Sequence, residues 1–141
     1  MGADEHLQPP EPDPGVHRLL PGVGNLPGPH DQVVAPGITT LLMAGHTPGH
    51  SGFLLESNGE RLLFWGDIIH LPALQAAITT TGVDADTSSD EAVITRQRIL
   101  KRAAGEDLLV AGAHLDFPGL FYVRKDEESF ELIPELWVSH I

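Results

Sequence analysis

Residues 45–51 read Gly45-His46-Thr47-Pro48-Gly49-His50-Ser51, which places two histidines four residues apart. Pro48 lacks a backbone donor and Gly49 is a poor helix former, so the segment is predicted to be a turn rather than a helix. The turn follows a strand-like run, residues 38–43. Loop histidines at the carboxyl end of a strand occupy a position where α/β folds place ligand groups.

Two further strand-like runs end in a residue that can bind a metal ion. Residues 61–65 lead to Gly66-Asp67, and residues 108–111 lead to Gly112-Ala113-His114. Histidine and carboxylate groups are ligands that zinc and other first-row divalent ions accept. Taken singly, such a residue is more often a cap or a hydrogen-bonded surface group. The combination of three strand ends predicts a metal site. A glycine stands near each ligand and allows close backbone approach: Gly49, Gly66 and Gly112.

Composition excludes several classes of function. The formal charge is −12, from 8 Lys+Arg against 20 Asp+Glu, which argues against nucleic acid or an anionic membrane as a partner. With no cysteine, the chain has no disulfide, no Cys-zinc site and no thiol nucleophile. It shows no signal-peptide pattern and no apolar run approaching the ~20 residues that span a bilayer. We therefore expect a cytoplasmic protein.

The chain is predicted to have two parts. Residues 1–36 hold eight of the twelve prolines and form an acidic, Pro/Gly-rich leader that we expect to be extended or disordered. A ligand for a proline-recognition domain is the alternative, although no spaced motif supports it. Residues 37–141 form the folded domain.

The domain reads as an α/β (α+β) fold, with a mixed or antiparallel sheet and one main helix. Asn58-Gly59 lies between two apolar runs and predicts a β-hairpin that ends just before Asp67. A capping-box pattern at 88–91 opens a helix that runs to about residue 104. Its apolar residues share one side, and its basic residues are expected on the other side or its flanks: Arg96, Arg98, Lys101 and Arg102. Residues 120–133 predict a terminal hairpin.

The three strand-end motifs, taken in order, resemble the C-terminal motifs of the metallo-β-lactamase superfamily. Residues 37–137 are most similar to the branch of methyl-parathion-hydrolase-like and acyl-homoserine-lactonase-like enzymes. Asp67-Ile68-Ile69-His70 and residues 114–119 support that placement. The resemblance implies the C-terminal half of an αββα sandwich. It also implies a metal-dependent hydrolase of the ester, lactone, amide or phosphoester class.

The resemblance assigns roles to individual residues. The metal ligands it implies are His50, Asp67 (which bridges two ions) and His114, while His46 shapes the turn. The substrate-binding residues it implies are His70, Asp116 and Phe117. Family members hold two zinc or other divalent ions, which lower the pKa of a bound water and stabilise the developing oxyanion. No residue is assigned a catalytic role apart from the metal.

One family motif is absent. The signature His-x-His-x-Asp-His supplies two ligands to each metal, yet no two of the eight histidines here are two residues apart. We therefore expect a truncated domain that binds at most one ion, weakly, and is inactive or weakly active alone. Whether it is an enzyme stays open. The alternatives are a non-catalytic remnant of the fold and a small binding module whose histidine turn stabilises a loop. A sheet face left without its second half predicts either a loosely packed monomer or a homodimer in which a second copy covers that face.

Overall fold

The computed structural model describes residues 31–136, which form seven strands and two helices. In chain order these elements are β1 (Gln32–Ala35), β2 (Ile38–Leu42), β3 (Ser51–Ser57), β4 (Glu60–Phe64), α1 (Pro72–Ala77), α2 (Ser89–Gly105), β5 (Leu109–Ala111), β6 (Leu120–Asp126) and β7 (Ser129–Pro134). The leader prediction for residues 1–30 lies outside the described residues. Strand β1 falls within the last residues of that predicted leader and pairs with β2.

The strands form one mixed sheet in the order β1-β2-β3-β4-β5-β6-β7. Neighbours run antiparallel except β4 and β5, which are parallel and are connected through both helices. A parallel pair brings two carboxyl ends to the same edge of the sheet. Residues that follow β4 and β5 therefore emerge side by side. The fold prediction, a mixed α/β sheet with one main helix, is confirmed.

Helix α2 packs on one face of the sheet and forms the core. Alternate residues of the strands point to this face, and α2 supplies the opposite side. The core side chains from the central strands are Leu41, Leu54, Leu63, Val110, Phe121 and Val123, and those from α2 are Ile99, Leu100 and Ala103. Each of these is less than a tenth exposed. Their burial is what holds α2, and the long connection before it, against the sheet.

Local signals in the sequence correspond to the observed turns. Asn58 and Gly59 have φ angles of 51° and 84°, the double positive-φ turn that a two-residue hairpin requires. Helix α2 begins one residue after Ser88, as the capping pattern predicts, although the Ser88 side chain makes no cap hydrogen bond. Gly105 is the last helical residue rather than the residue after the helix.

The expected position of one basic side chain is wrong. Arg96 was placed on the outer side or flank of α2, but its side chain is fully buried. It lies among backbone carbonyls of the 68–81 connection, to which its guanidinium donates hydrogen bonds. A charge can be buried only where such partners replace water.

The sheet face opposite α2 is also apolar. Phe53 and Phe64 lie opposite each other on β3 and β4 and are 43% and 41% exposed. Leu55, Leu62 and Tyr122 line a shallow depression farther along the same face. Side chains of this kind on a sheet face are usually covered by another layer. Within residues 31–136, neither helix combines the length and apolar character that crossing a membrane requires.

Candidate metal centre

The loops after β4 and β5 run side by side and bring Asp67 next to His114. Trp65 donates its backbone N–H to the Ala111 carbonyl (2.9 Å), and Ala113 donates to the Gly66 carbonyl (3.1 Å). The parallel pairing therefore continues beyond both strands. As a result, His114 Nε2 lies 3.1 Å from Asp67 Oδ1.

At this edge of the sheet, two glycines lie where a side chain would clash. Gly66 has a φ of 58°, and a Cβ atom there would lie 2.5 Å from His50 Nε2. A Cβ at Gly112 would clash with the indole of Trp65, which is fully buried. Gly49, by contrast, has nothing within 4 Å of a Cβ position. Two of the three glycines noted in the sequence thus permit close approach at the site.

His70 lies at the centre of a row of histidines. Its ring centroid is 4.8 Å from that of His46 and 4.9 Å from that of His114. Asp67, His70 and His114 each offer one ligand atom, and these atoms lie within 4.8 Å of one another. His46, His70 and Asp86 form a second such group. His70 belongs to both groups and joins them.

A buried glutamine holds the backbone of His70. Gln75 Oε1 accepts hydrogen bonds from the N–H groups of His70 (2.7 Å) and Leu71 (3.1 Å). Gln75 Nε2 donates to the Thr81 carbonyl at 3.0 Å. The Gln75 side chain is fully buried, and both the oxygen and the nitrogen of its amide are hydrogen-bonded to the backbone of residues 70–81. Sequence reasoning missed Gln75, because nothing in the sequence indicates that its amide caps a loop.

Burial acts on the ionisation of His70. Loss of solvent lowers the pKa of His70, whereas the Asp86 carboxylate raises it. The neighbouring rings of His46 and His114 lower the pKa further, and Asp67 raises it. The net effect is a lowered pKa, which favours the neutral ring. Its Nδ1 atom is buried and has no hydrogen-bond partner among the described residues.

His46 is fixed through a chain of buried charges. Its Nδ1 lies 3.2 Å from Asp86 Oδ1, and the Asp86 side chain is only 1% exposed. Arg96 Nη2 stands 3.7 Å from the other carboxylate oxygen. Arg96 also donates to the carbonyls of Ile68 (2.8 Å), Thr79 (3.1 Å) and Thr81 (2.9 Å). Because Asp86 holds Nδ1, the Nε2 atom of His46 is the nitrogen available to a ligand.

His50 is engaged at both ring nitrogens. Its Nδ1 lies 2.9 Å from the Met43 carbonyl, which can only accept, so Nδ1 carries the proton. Its Nε2 accepts the backbone N–H of Asp67 at 2.9 Å. The ring therefore ties the end of β2 to the loop that carries Asp67. The structure brings Asp67 and His114 together, and it places the Nε2 of His50 against the backbone of Asp67.

The residues predicted to bind substrate lie around this edge. His70 is at its centre, as described above. Phe117 is 86% exposed on the loop after His114. Asp116 lines a cavity together with α1 residues Pro72 and Ala76 and the core side chain Phe121. Asp116 and Phe117 thus lie two and three residues from His114, on the loop that follows it.

Comparison with known proteins defines the family. The sequence model of the metallo-beta-lactamase superfamily matches residues 2–114, and the chain belongs to that superfamily. The match begins inside the predicted leader and ends at His114. The resemblance drawn from the strand-end motifs is thereby confirmed. A comparison with curated proteins gives no match.

Solved structures support the same assignment. AidC, described as a dizinc quorum-quenching lactonase in complex with a product, is 29% identical with a TM-score of 0.73, over 77% of this chain and 37% of its own. The hydrolase AbOPH of the beta lactamase superfamily is 30% identical with a TM-score of 0.72, over 79% of this chain and 38% of its own. A probable metal-dependent hydrolase from Staphylococcus aureus shares the fold at 17% identity, a TM-score of 0.55 and coverages of 77% and 39%. The chain thus spans less than two fifths of the length of these similar proteins.

Proposed function

We propose that this chain carries part of the metal centre of a metallo-β-lactamase-superfamily hydrolase that acts on an ester, lactone or phosphoester. The observation that carries the proposal is the Asp67–His114 pair, 3.1 Å apart at the edge where β4 and β5 end. AidC, a dizinc lactonase, and the hydrolase AbOPH are similar to this chain at 29% and 30% identity. A substrate is therefore expected to be a small molecule.

The residues present fit a divalent ion. Imidazole and carboxylate are the donor types that zinc accepts, and they converge here within 4.8 Å. The Nδ1 atom of His70, in the middle of this cluster, is buried and has no hydrogen-bond partner among the described residues. A bound divalent ion would lower the pKa of a water and stabilise negative charge on the substrate oxygen.

The ligand set comprises His50, Asp67 and His114. The Nδ1–H of His50 donates to the Met43 carbonyl, which fixes the tautomer and turns Nε2 towards the Asp67 loop, the arrangement that metal-binding histidines usually show. This Nε2 accepts the Asp67 N–H, a hydrogen bond that a bound ion would replace. His46, which the Asp86 carboxylate holds, shapes the turn. The loop with Asp116 and Phe117 contacts the substrate.

The 141 residues alone are expected to hold one ion, weakly, and to hydrolyse substrates slowly. The sequence contains no His-x-His-x-Asp-His segment, the motif that supplies half of the family's ligands. The ligands that remain come from exposed loops: the His114 side chain is 46% exposed and that of Asp67 35%. The alternative is a non-catalytic module of the same fold, which the lack of a His-x-His-x-Asp-His segment in these residues favours.

Hydrolysis of an aryl ester and of a lactone by the zinc-loaded chain tests the function. We expect slow turnover that stops on addition of a chelator and disappears in Asp67→Ala, because that variant loses a ligand carboxylate. Asp126→Ala, a change at an exposed aspartate in the β6–β7 turn at the opposite end of the sheet, should retain the rate. If neither substrate is hydrolysed in a chelator-sensitive manner, the hydrolase proposal is wrong and the non-catalytic reading is favoured.

We also propose that two copies associate through the apolar sheet face. The chain carries a formal charge of −12, so copies repel except where uncharged surfaces meet. The Phe53–Phe64 pair offers such a surface. Light scattering should report a dimer that Phe64→Glu converts to a monomer, whereas Ile94→Glu, at a 66% exposed position on α2, leaves it intact. A monomeric wild-type chain would contradict this proposal.

We further propose a cytoplasmic location, with neither nucleic acid nor membrane as partner.

A further inference from the structure

We propose that the cavity between α1 and the β6–β7 hairpin is a binding site for a small apolar amine. The cavity has a volume of about 390 Å³. Binding there requires no metal ion, so this site goes beyond the hydrolase function proposed above. Three features of the cavity point to such a ligand: the surface that lines it, the support that keeps it open and the charge at its opening.

The lining of the cavity is mostly apolar. On the sheet side it consists of core side chains of β6 and β7, among them Phe121 and Phe130, which are 8% and 6% exposed. On the helix side, α1 contributes alanines whose short side chains leave space between helix and sheet: Ala73, Ala76 and Ala77. Protein interiors are otherwise close-packed, and pockets for small molecules have volumes of about 300–1,000 Å³. The cavity therefore has the size and the surface of a small-molecule pocket.

Helix α1 is anchored at both ends, which keeps the cavity open. Gln75 joins the N–H of His70, before the helix, to the carbonyl of Thr81, after it. Arg96 of α2 donates to the carbonyls of Thr79 and Thr81. The helix cannot move onto the sheet and close the gap without breaking these buried hydrogen bonds. A pocket formed in advance binds its ligand without the cost of ordering the chain.

The opening of the cavity is negatively charged. The charged residues that line it are the exposed Asp116 and Glu131, and none of the described lining residues is basic. Glu131 forms an ion pair with Arg124, whereas the Asp116 carboxylate has neither an ion pair nor a hydrogen bond within residues 31–136. The formal charge of the chain, −12, disfavours an anionic ligand. A ligand with an apolar body and one ammonium group satisfies both the lining and Asp116.

An NMR titration of the full chain, with and without added zinc, tests the site. The three probes share a phenyl group and differ in charge: phenethylamine, phenethyl alcohol and hydrocinnamate. We expect phenethylamine to cause saturable shifts of the methyl groups of Ala76 and Ala77, whether or not zinc is present. Its Kd should lie about threefold to fivefold below that of the alcohol, which is the gain that an exposed ion pair supplies. The anionic probe should bind more weakly than the alcohol.

Variants of α1 and of Asp116 locate the binding. Ala77→Leu places a larger side chain in the cavity wall and should abolish the saturable shift of Ala76. Ala73→Leu, also at an exposed lining position, is a second filling variant in case the first disturbs α1. Asp116→Asn keeps the size of the side chain and should reduce the affinity for phenethylamine to that for the alcohol. Leu74→Ala is the control, because Leu74 is exposed on α1 and does not line the cavity.

Several results would overturn the proposal. Equal affinity for the three probes, or undiminished phenethylamine binding in Asp116→Asn, would show that the ligand is not an amine. Shifts that are absent, that require zinc, or that persist in both folded filling variants would show that the cavity is not the site. Contacts between the Trp137 indole and Ala76 in the free chain would also overturn it, because a residue of the chain itself would then occupy the cavity. Hydrolysis is not measured in this titration, so its outcome is separate from that of the proposed function.

Discussion

Arg96→Met is expected to lower the free energy of unfolding by about 3 to 5 kcal/mol, the usual cost of removing one partner of a buried ion pair. The guanidinium is fully buried. It donates hydrogen bonds to the carbonyls of Ile68, Thr79 and Thr81 and forms an ion pair with Asp86. Methionine fills most of the volume but donates no hydrogen bond. The carbonyls of Ile68 and Thr79 would lose this donor in a dry environment, Thr81 would keep only Gln75, and Asp86 would lose its cation. Burial lowers the pKa of Arg96, and the Asp86 carboxylate opposes that effect.

Urea denaturation measures the loss. Lys101→Met is the control, because it makes the same kind of change at an exposed position of the same helix and should alter stability by less than about 0.5 kcal/mol. A double variant, Arg96→Met with Asp86→Leu, should recover part of the loss, since no buried charge is then left unpaired. If the free energy of unfolding of Arg96→Met lies within about 1 kcal/mol of the wild-type value, the buried hydrogen bonds of Arg96 do not stabilise the fold as described.

Gly45→Ala is expected to destabilise the chain by about 3 to 5 kcal/mol, combining backbone strain and overpacking. Gly45 has a φ of 133°, which side-chain-bearing residues rarely adopt. A Cβ atom there would overlap the backbone of Ala92, in the first turn of α2. Backbone atoms of a helix cannot turn away as a flexible side chain can. The loop would have to leave the helix.

The displaced loop carries His46. Three hydrogen bonds now join the loop to α2 and the residues before it: Ser88 N–H to the Gly45 carbonyl (2.9 Å), Thr87 N–H to the His46 carbonyl (3.0 Å) and Thr95 Oγ1 to the Ala44 carbonyl (2.6 Å). Gly49→Ala in the same turn is the matched control, because its Cβ meets nothing within 4 Å. Thermal and urea unfolding should show a large loss for Gly45→Ala and almost none for Gly49→Ala. Equal stability of the two variants would show that the loop does not rest on α2 as described.

Much of the fold could be predicted because its signals are local. Asn58-Gly59 determines a turn by its own backbone preferences, and the period of α2 marks the side that meets the sheet. The glycines near Asp67 and His114 indicated that the backbone comes close to a site there, and the structure brings those two side chains together. The turn and the helix face depend on residues near one another in the chain, whereas the Asp67–His114 contact joins two strand ends 47 residues apart.

The parts that escaped prediction depend on partners distant in sequence. A basic residue on a helix is normally solvated, and only the carbonyls of the irregular 68–81 connection explain why Arg96 is buried. Two histidines four apart look equivalent in the sequence. They differ here because the Met43 carbonyl and the Asp67 N–H occupy the ring of His50, whereas Asp86 orients His46. The central place of His70 follows from the same connection.

The most direct test of the metal centre is the ¹⁵N shift of each histidine imidazole, recorded by NMR as zinc is added to the 141-residue chain. The account predicts large, saturable shifts of one ring nitrogen in His50 and in His114. The ring of His50 should keep its Nδ1–H tautomer throughout, because the Met43 carbonyl accepts from Nδ1, while Nε2 exchanges the Asp67 N–H for the ion. Zinc binding that leaves the rings of both His50 and His114 unshifted would contradict the account.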